Sequence, residues 1–209
     1  MDMGFFKNYV SQTRKPEGFW GKMMIKGMNS GHAKMADWAM SHLEIKEPEY
    51  IAELGCGGGR NAGVLLKKYP SSYVTAIDYS PLSVAQAKEY NKQAISDGRC
   101  SVYEDDVSHL NLAKNKYDLA TAFETVYFWP DIRKCFQEVF SILKAGGYFM
   151  IVNESDGTDK AGKTFEKIID GMKVYTEREI KIALENAGFS EIKTVHYNEK
   201  PWITVIARK

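Results

Sequence analysis

The stretch Ile51-Ala52-Glu53-Leu54-Gly55-Cys56-Gly57-Gly58-Gly59-Arg60-Asn61 decides the fold. A short apolar run gives way to glycines and then to a helical pattern. Glycine is needed where the backbone turns with positive φ or where a ligand approaches the main chain closely. A helix that begins behind such a loop offers unpaired N–H groups to whatever sits there. Outward from this loop, runs rich in Val, Ile, Tyr, Phe and Thr predict strands at 50–54, 73–78, 99–104, 117–123, 147–153, 191–197 and 202–208.

The segments between them carry helix punctuation. A helix over 61–69 stops ahead of Pro70. Ser80 and Pro81 read as N-cap and first helical residue of a helix that runs to Gly98. From Asp131, one apolar face (Ile132, Cys135, Phe136, Val139, Leu143) predicts a helix up to Gly146. Thr176-Glu177-Arg178-Glu179 is a capping box, with Ile180, Leu184 and Ala187 facing inward and Gly188 as the stop. Strands alternating with helices imply an α/β sandwich around a mostly parallel sheet. Only Asn198-Glu199-Lys200-Pro201 joins the last two strands, so they should pair antiparallel at one edge.

The 209 residues fit one domain, long enough to bury a core without a metal or disulfide staple. Lys plus Arg is 28 and Asp plus Glu is 27, a net charge of +1 that gives no reason to expect nucleic acid or anionic lipid. Cys56, Cys100 and Cys135 are odd in number and far apart, as expected of buried free thiols. No apolar run approaches a membrane span. The opening MDMGFFKNYVSQTRK has an acid at position 2 and no apolar h-region, so a cytoplasmic protein without signal peptide is expected.

Spacing narrows the chemistry. Gly55, Gly57 and Gly59 form GxGxG, and Arg60 stands where the dinucleotide fingerprint needs its third glycine. Asp78 ends the next strand, 23 residues beyond Gly55, where an acid takes the hydroxyls of an adenosine ribose. It is equally placed to cap the helix at Ser80.

In this setting the chain resembles the class I S-adenosylmethionine (SAM)-dependent methyltransferases, in particular small-molecule enzymes of the type 11/25-like branch. Glu53-x-Gly55-x-Gly57-x-Gly59 looks like their first motif and Ile77-Asp78-Tyr79-Ser80 like the second. Asp105-Asp106-Val107-Ser108-His109-Leu110 is similar to their adenine-reading segment, Tyr117-Asp118-Leu119 to the start of strand four, and Leu143-Lys144-Ala145-Gly146-Gly147 to the turn before strand five. The resemblance covers roughly residues 45–209. It implies a Rossmann-like, doubly wound seven-stranded sheet of order 3-2-1-4-5-7-6, its last strand antiparallel. It also implies one methyltransferase domain over 1–209, with 1–46 as an N-terminal helical cap and 47–209 as the SAM-binding core.

Carried over residue by residue, Gly55, Cys56, Gly57 and Gly59 would border the methionine part of SAM, with Glu53 near its ammonium. Asp78 would hold the ribose and Tyr79 would lie against the adenine, with Asn61 and Ser80 among the cofactor residues. Asp106 and Val107 would read the adenine edge, and Glu124 would sit beside the methionine end. Asn29 and His32 fall where an N-terminal helix closes over the cofactor.

The reaction implied is an in-line displacement that leaves S-adenosylhomocysteine, in which the protein supplies proximity and orientation. An acceptor O, N or S that must lose a proton also needs a base, for which His32 and Glu124 come first, then Tyr9, Tyr127, Glu154 and His196. The sequence Phe123-Glu124-Thr125-Val126-Tyr127-Phe128-Trp129 lacks the Pro-Pro-aromatic tetrapeptide of amino-group enzymes acting on nucleic acid or protein amides. No carboxylate set reads as a magnesium site, and no metal is expected. A small-molecule acceptor remains, in a pocket built from Phe19, Trp20, Met28, Tyr127 and Trp129, with Phe128 beside them. Whether the chain is a monomer or a homodimer stays open.

Residues 1–46 carry three apolar clusters: Phe5, Phe6, Tyr9 and Val10; Phe19, Trp20, Met23, Met24 and Met28; and Met35, Trp38, Ala39 and Leu43. They read either as plain packing or as a lid over the acceptor. Two rival functions stand beside methyl transfer. One is a SAM-binding module without turnover. The other is a P-loop nucleotide hydrolase, since Gly157-Thr158-Asp159-Lys160-Ala161-Gly162-Lys163-Thr164 matches GxxxxGK[ST]. Against it, two acids lie just ahead of it and only 45 residues follow Thr164. A mixed-charge loop over the acceptor is the expectation there.

Overall fold

A computed structural model describes residues 16–209, except the side chains of residues 19, 20, 22, 26 and 28–30. Seven strands, β1 (Tyr50–Leu54), β2 (Tyr73–Asp78), β3 (Cys100–Glu104), β4 (Tyr117–Phe123), β5 (Leu143–Asn153), β6 (Ser190–His196) and β7 (Ile203–Arg208), form one sheet of order β3-β2-β1-β4-β5-β7-β6. β1 pairs parallel with both β2 and β4, while β7 is antiparallel to β5 and β6. This is the expected topology, and it puts the carboxyl ends of β1 and β4 side by side, where open α/β sheets bind ligands.

Alternation along the strands splits the core in two. Ala52, Leu54, Ala120, Ala122, Phe149 and Ile151 face α6 (Ile132–Ile142) and α8 (Glu177–Ala187). Ile51, Leu119, Phe123, Met150 and Val152 face α2 (Ala33–Met40), α3 (Arg60–Lys68) and α4 (Pro81–Tyr90). Both faces of the sheet are covered, which is why its central strands read as nearly continuous apolar runs. α1 (Gly18–Gly31) precedes α2, and Met35, Ala39 and Leu43 join the second core, so that part of the N-terminal segment packs. The cluster of Phe5, Phe6, Tyr9 and Val10 lies outside the described residues. Among the described residues, no helix is long and apolar enough to cross a membrane.

Three boundaries differ from the sequence expectation. The helix expected to reach Gly98 ends at Tyr90 and resumes as the short α5 (Lys92–Ser96). Buried Asn91 makes the break: its Nδ2 donates to Gly59 O (2.9 Å) and Ala87 O (3.1 Å), pulling its side chain toward the glycine loop. The helix expected to reach Gly146 ends at Ile142, because Leu143 already pairs with Tyr117 across a shifted register. The segment matching the P-loop pattern is largely helical, α7 (Lys160–Ile168) with Asp159 as N-cap, rather than an open loop.

Candidate functional site

β1 runs into the loop at Gly55, and the end of β2 holds it. The N–H groups of Gly55 and Cys56 both donate to Ile77 O at 2.8 Å. Asp78 accepts from Gly57 N through one oxygen and from Ser80 N through the other, each at 2.9 Å. The helix-cap and ligand-holding expectations for Asp78 therefore fall on one carboxylate, whose pKa burial raises. Gly55 and Gly57 have φ of 79° and 51°. A Cβ on Gly55 would collide with Thr125, whereas one on Gly57 would meet nothing within 4 Å. The first glycine lets two loops approach each other; the second leaves bare backbone facing open space.

That space is a cavity of about 610 Å³. Gly55, Cys56, Gly57, Asn61, Asp78, Tyr79, Asp106 and Val107 line it, together with Arg60, which sequence reasoning did not name as a site residue. Glu53 does not. It is buried behind the loop with a hydrogen bond from Thr121, and desolvation pushes its pKa up to about 8. Ser80 also sits beneath the wall, capping α4. Gly59 serves the helix start, where a Cβ would meet Asn91 Nδ2 at 2.6 Å. Burial raises the Cys56 thiol far above its ordinary range, so it is an inert part of the wall. Of the paired acids, Asp105 engages both oxygens with the Asp106 and Asn111 amides and the Asn111 side chain. The bonds to Asp106 fall on Oδ1 alone, from Ser108 N and Oγ at 2.8 and 2.9 Å.

The opposite wall comes from four distant segments: Met24, Met35 and Ala36; residues 123–125 and 127–130; Glu154; and Phe165, Ile169 and Met172. Tyr127 and Trp129 lie here. The Trp129 indole donates to Thr125 Oγ1 (2.6 Å) and its ring stacks on Phe149. The side chains of Phe19, Trp20 and Met28 lie outside the described ones, as does that of Asn29, and Tyr9 is not among the described residues.

Glu124 follows β4 with φ of 59°, a left-handed conformation unusual for a residue with a side chain. Its Oε1 accepts from Tyr127 Oη (3.1 Å) and from the Glu154 amide. Desolvation, with the Glu154 charge adding to it, holds its pKa near 8. His32 Nε2 lies 3.7 Å from Glu154 Oε2. Desolvation lowers the His32 pKa, outweighing Glu154, so the imidazole is neutral at pH 7. One ligand-type atom from each of His32, Glu124 and Glu154 lies within 4.8 Å of the others. Sequence reasoning named these three singly but gave no sign that they converge. It missed Asn91 and Thr125 altogether; only the break in a helical pattern and the polar residue after Glu124 hinted at them.

The remaining candidates fall elsewhere. His196 is on the outer strand β6, 3.0 Å from Glu177, away from the cavity. The P-loop reading fails on donors and space. The amides of Thr158 and Gly162 already donate to Asp156 and Asp159 at 2.8 and 2.7 Å, and a Cβ on Gly162 would strike Ser155. No cradle is left for phosphate.

A family model described as "Methyltransferase domain" matches residues 52–151. The chloroplastic 2-methyl-6-phytyl-1,4-hydroquinone methyltransferase of Arabidopsis thaliana is 24% identical over 202 residues, 93% of this chain and 58% of that protein. Trans-aconitate 2-methyltransferase of Shigella flexneri is 25% identical over 132 residues, 63% of this chain and 50% of that one. The chain thus spans about half the length of the curated relatives it matches. The crystal structure of a SAM-dependent methyltransferase from Aquifex aeolicus superposes with a TM-score of 0.75 at 20% identity, over 89% of this chain and 97% of that one.

Proposed function

We propose that the chain is a class I SAM-dependent methyltransferase that moves a methyl group from SAM to a small-molecule acceptor. One observation carries this reading: a single cavity holds both the glycine loop with Asp78 and the cluster of His32, Glu124 and Glu154. Its volume of about 610 Å³ suits small molecules, whose sites span ~300–1,000 Å³.

The residues fit SAM. Bare backbone at Gly57 gives an extended ligand close approach, Asp78 offers a carboxylate at the end of β2, and Asp106 leaves its second oxygen without a described partner. The carboxylates lining the cavity suit a cationic ligand, since Arg60, the cation among the described lining residues, is paired with Asp37 at 2.8 Å. Asp78 and Asp106 would hold the adenosine, and Gly55 to Gly59 the methionine portion. Glu124 would face the methionine end, and Glu53 would act from behind the loop. When bound, SAM supplies an activated methyl group on sulfur. The aromatic wall of Tyr127, Phe128 and Trp129 would confine the acceptor. The same acidic lining speaks against nucleic acid as the acceptor.

Calorimetric titration with SAM and S-adenosylhomocysteine tests the reading, on wild type and on Asp78→Asn, which keeps the side chain's size. Micromolar binding to wild type, weakened at least ~30-fold by the substitution, is expected for a charged hydrogen-bond acceptor lost from the site. Absence of binding to a folded wild-type protein would refute it. Product analysis with an acceptor panel then separates an enzyme from a SAM-binding module.

A further inference from the structure

We infer that His32, Glu124 and Glu154 form a receptor for an amine, so that the methyl acceptor is a nitrogen carrying at least two hydrogens. The inference rests on the methyltransferase reading and names its substrate class. The three groups bring acceptor atoms to within 4.8 Å of one another on the wall of one cavity. Acceptors about 2.9 Å from a tetrahedral nitrogen stand about 4.7 Å apart, the spread of three N–H···O or N–H···N bonds that share one donor. Ligands about 2.1 Å from a metal ion would stand only about 3.0–3.4 Å apart. His32 Nε2 and Glu154 Oε2 are 3.7 Å apart. That separation is wider than such an ion sets between two ligands and leaves room for a nitrogen between the groups.

Charge gives the same answer. Two carboxyl groups, Glu124 and Glu154, face this point, and Arg60 is occupied by Asp37. An anionic acceptor would find no unpaired cation among the described lining residues, while an ammonium would draw the Glu124 carboxyl toward its charged form and satisfy all three groups. Both described bonds to Glu124 end on Oε1, which leaves its second oxygen without a described partner. His32 is a neutral acceptor because burial keeps the proton off it. Met24, Ile169 and Met172 add an apolar flank suited to a hydrocarbon or aromatic tail. Transfer then needs one N–H proton to leave for a carboxylate, which frees the nitrogen lone pair. The nitrogen forms the new bond to the methyl carbon as the carbon–sulfur bond breaks and its electron pair stays on sulfur. Glu154, exposed where Glu124 is desolvated, hands the proton on to water.

The test is calorimetric titration of the whole protein, with and without S-adenosylhomocysteine, using 2-phenylethylamine, 2-phenylethanol and phenylacetate as probes. The amine should bind about 30-fold more tightly than the alcohol, as charged hydrogen bonds imply, and the acid should not bind. Glu154→Gln should weaken the amine about tenfold or more and leave the alcohol and S-adenosylhomocysteine within about threefold. Equal binding of alcohol and amine overturns the inference, as does no amine binding or an amine affinity indifferent to Glu154→Gln. Tight Mn²⁺ binding abolished by Glu154→Gln, with no amine preference, overturns it in favour of a metal site. Amine preference in a protein that binds no S-adenosylhomocysteine upholds the amine site and refutes the methyltransferase reading instead.

Discussion

The two walls of the cavity are built in opposite ways. The glycine-loop wall comes from consecutive pieces of one β-α-β unit, and its geometry is set by the main chain: Ile77 O takes two loop amides and Asp78 takes a third. The opposite wall is assembled from segments as far apart in the chain as Met24 and Met172, held by side chains such as Tyr127 and Trp129. A backbone-built wall is fixed by residue type at fixed offsets. A side-chain-built wall depends on what tertiary packing brings together, so it can vary without disturbing the fold.

Two glycines give the largest test of this contrast. Gly55→Val forces a side chain into Thr125 at φ of 79°, where the two walls meet. It should cost about 3 kcal/mol or more in stability, seen as a lower urea midpoint, and abolish S-adenosylhomocysteine binding. Gly57→Ala meets only open space, so its stability cost should stay near the ~1 kcal/mol of a left-handed alanine. Its methyl group nevertheless stands where ligand must approach, and affinity should fall at least ~30-fold. A Gly57→Ala protein that binds normally would show that ligand does not lie on this loop.

Tyr127→Phe probes the other wall. The hydroxyl donates to Glu124 and accepts from Ser155 N at 3.0 Å, so its loss leaves a buried amide unpaired. About 1–3 kcal/mol of stability should be lost. Methyl transfer should fall ~10–100-fold with S-adenosylhomocysteine affinity nearly unchanged. Equal losses of cofactor affinity and transfer would mean that the two walls are not separable.

What the sequence made legible follows this same division. The glycine spacing, Asp78, the Ser80-Pro81 cap and the capping box at Thr176 are local rules, and all four stand where expected. The strand order followed from the family resemblance that those motifs carried. Asn91 was hidden because its role depends on a loop 32 residues earlier. The meeting of His32, Glu124 and Glu154 was hidden because it needs the start of α2 and the ends of β4 and β5 to be placed in space first. The GxxxxGK[ST] match misled because a pattern of residue types does not say whether its amides are free. Here Asp156 and Asp159 already hold them.

pH acts on both walls. Glu53 and Glu124 are held near pKa 8 in the folded chain, above the unfolded value of ~4.3. A raised carboxyl pKa means that the folded state binds more protons, so stability is greatest at acid pH and declines as pH rises from ~4.3 toward 8. Thermal melts of the ligand-free protein should show the midpoint falling between pH 5 and 8, and Glu53→Gln should flatten part of that slope. A saturating cationic ligand should offset the loss from Glu124. A midpoint that rises over this interval would mean that neither carboxyl is desolvated as described.

The smallest expected effect compares two histidine–glutamate pairs. His32 and Glu154 are 3.7 Å apart on the cavity wall; His196 and Glu177 are 3.0 Å apart on the outer strand. By distance alone the second is the better pair. Lys181, followed by His196, lowers the Glu177 pKa to about 2, so its contribution is present above ~4.3 and disappears as pH falls toward 2. With both side chains more than a third exposed, solvent screening limits that contribution to a few tenths of a kcal/mol. His196→Gln should therefore leave the melting midpoint within about 1 °C and methyl transfer unchanged. His32→Gln should also leave the fold intact, since α2 has no side-chain cap from it, yet lower transfer ~10-fold or more by removing one acceptor from the triad. If His196→Gln proved the more damaging of the two, the catalytic end of this protein would lie at the sheet edge, and the cavity would be only a binding site.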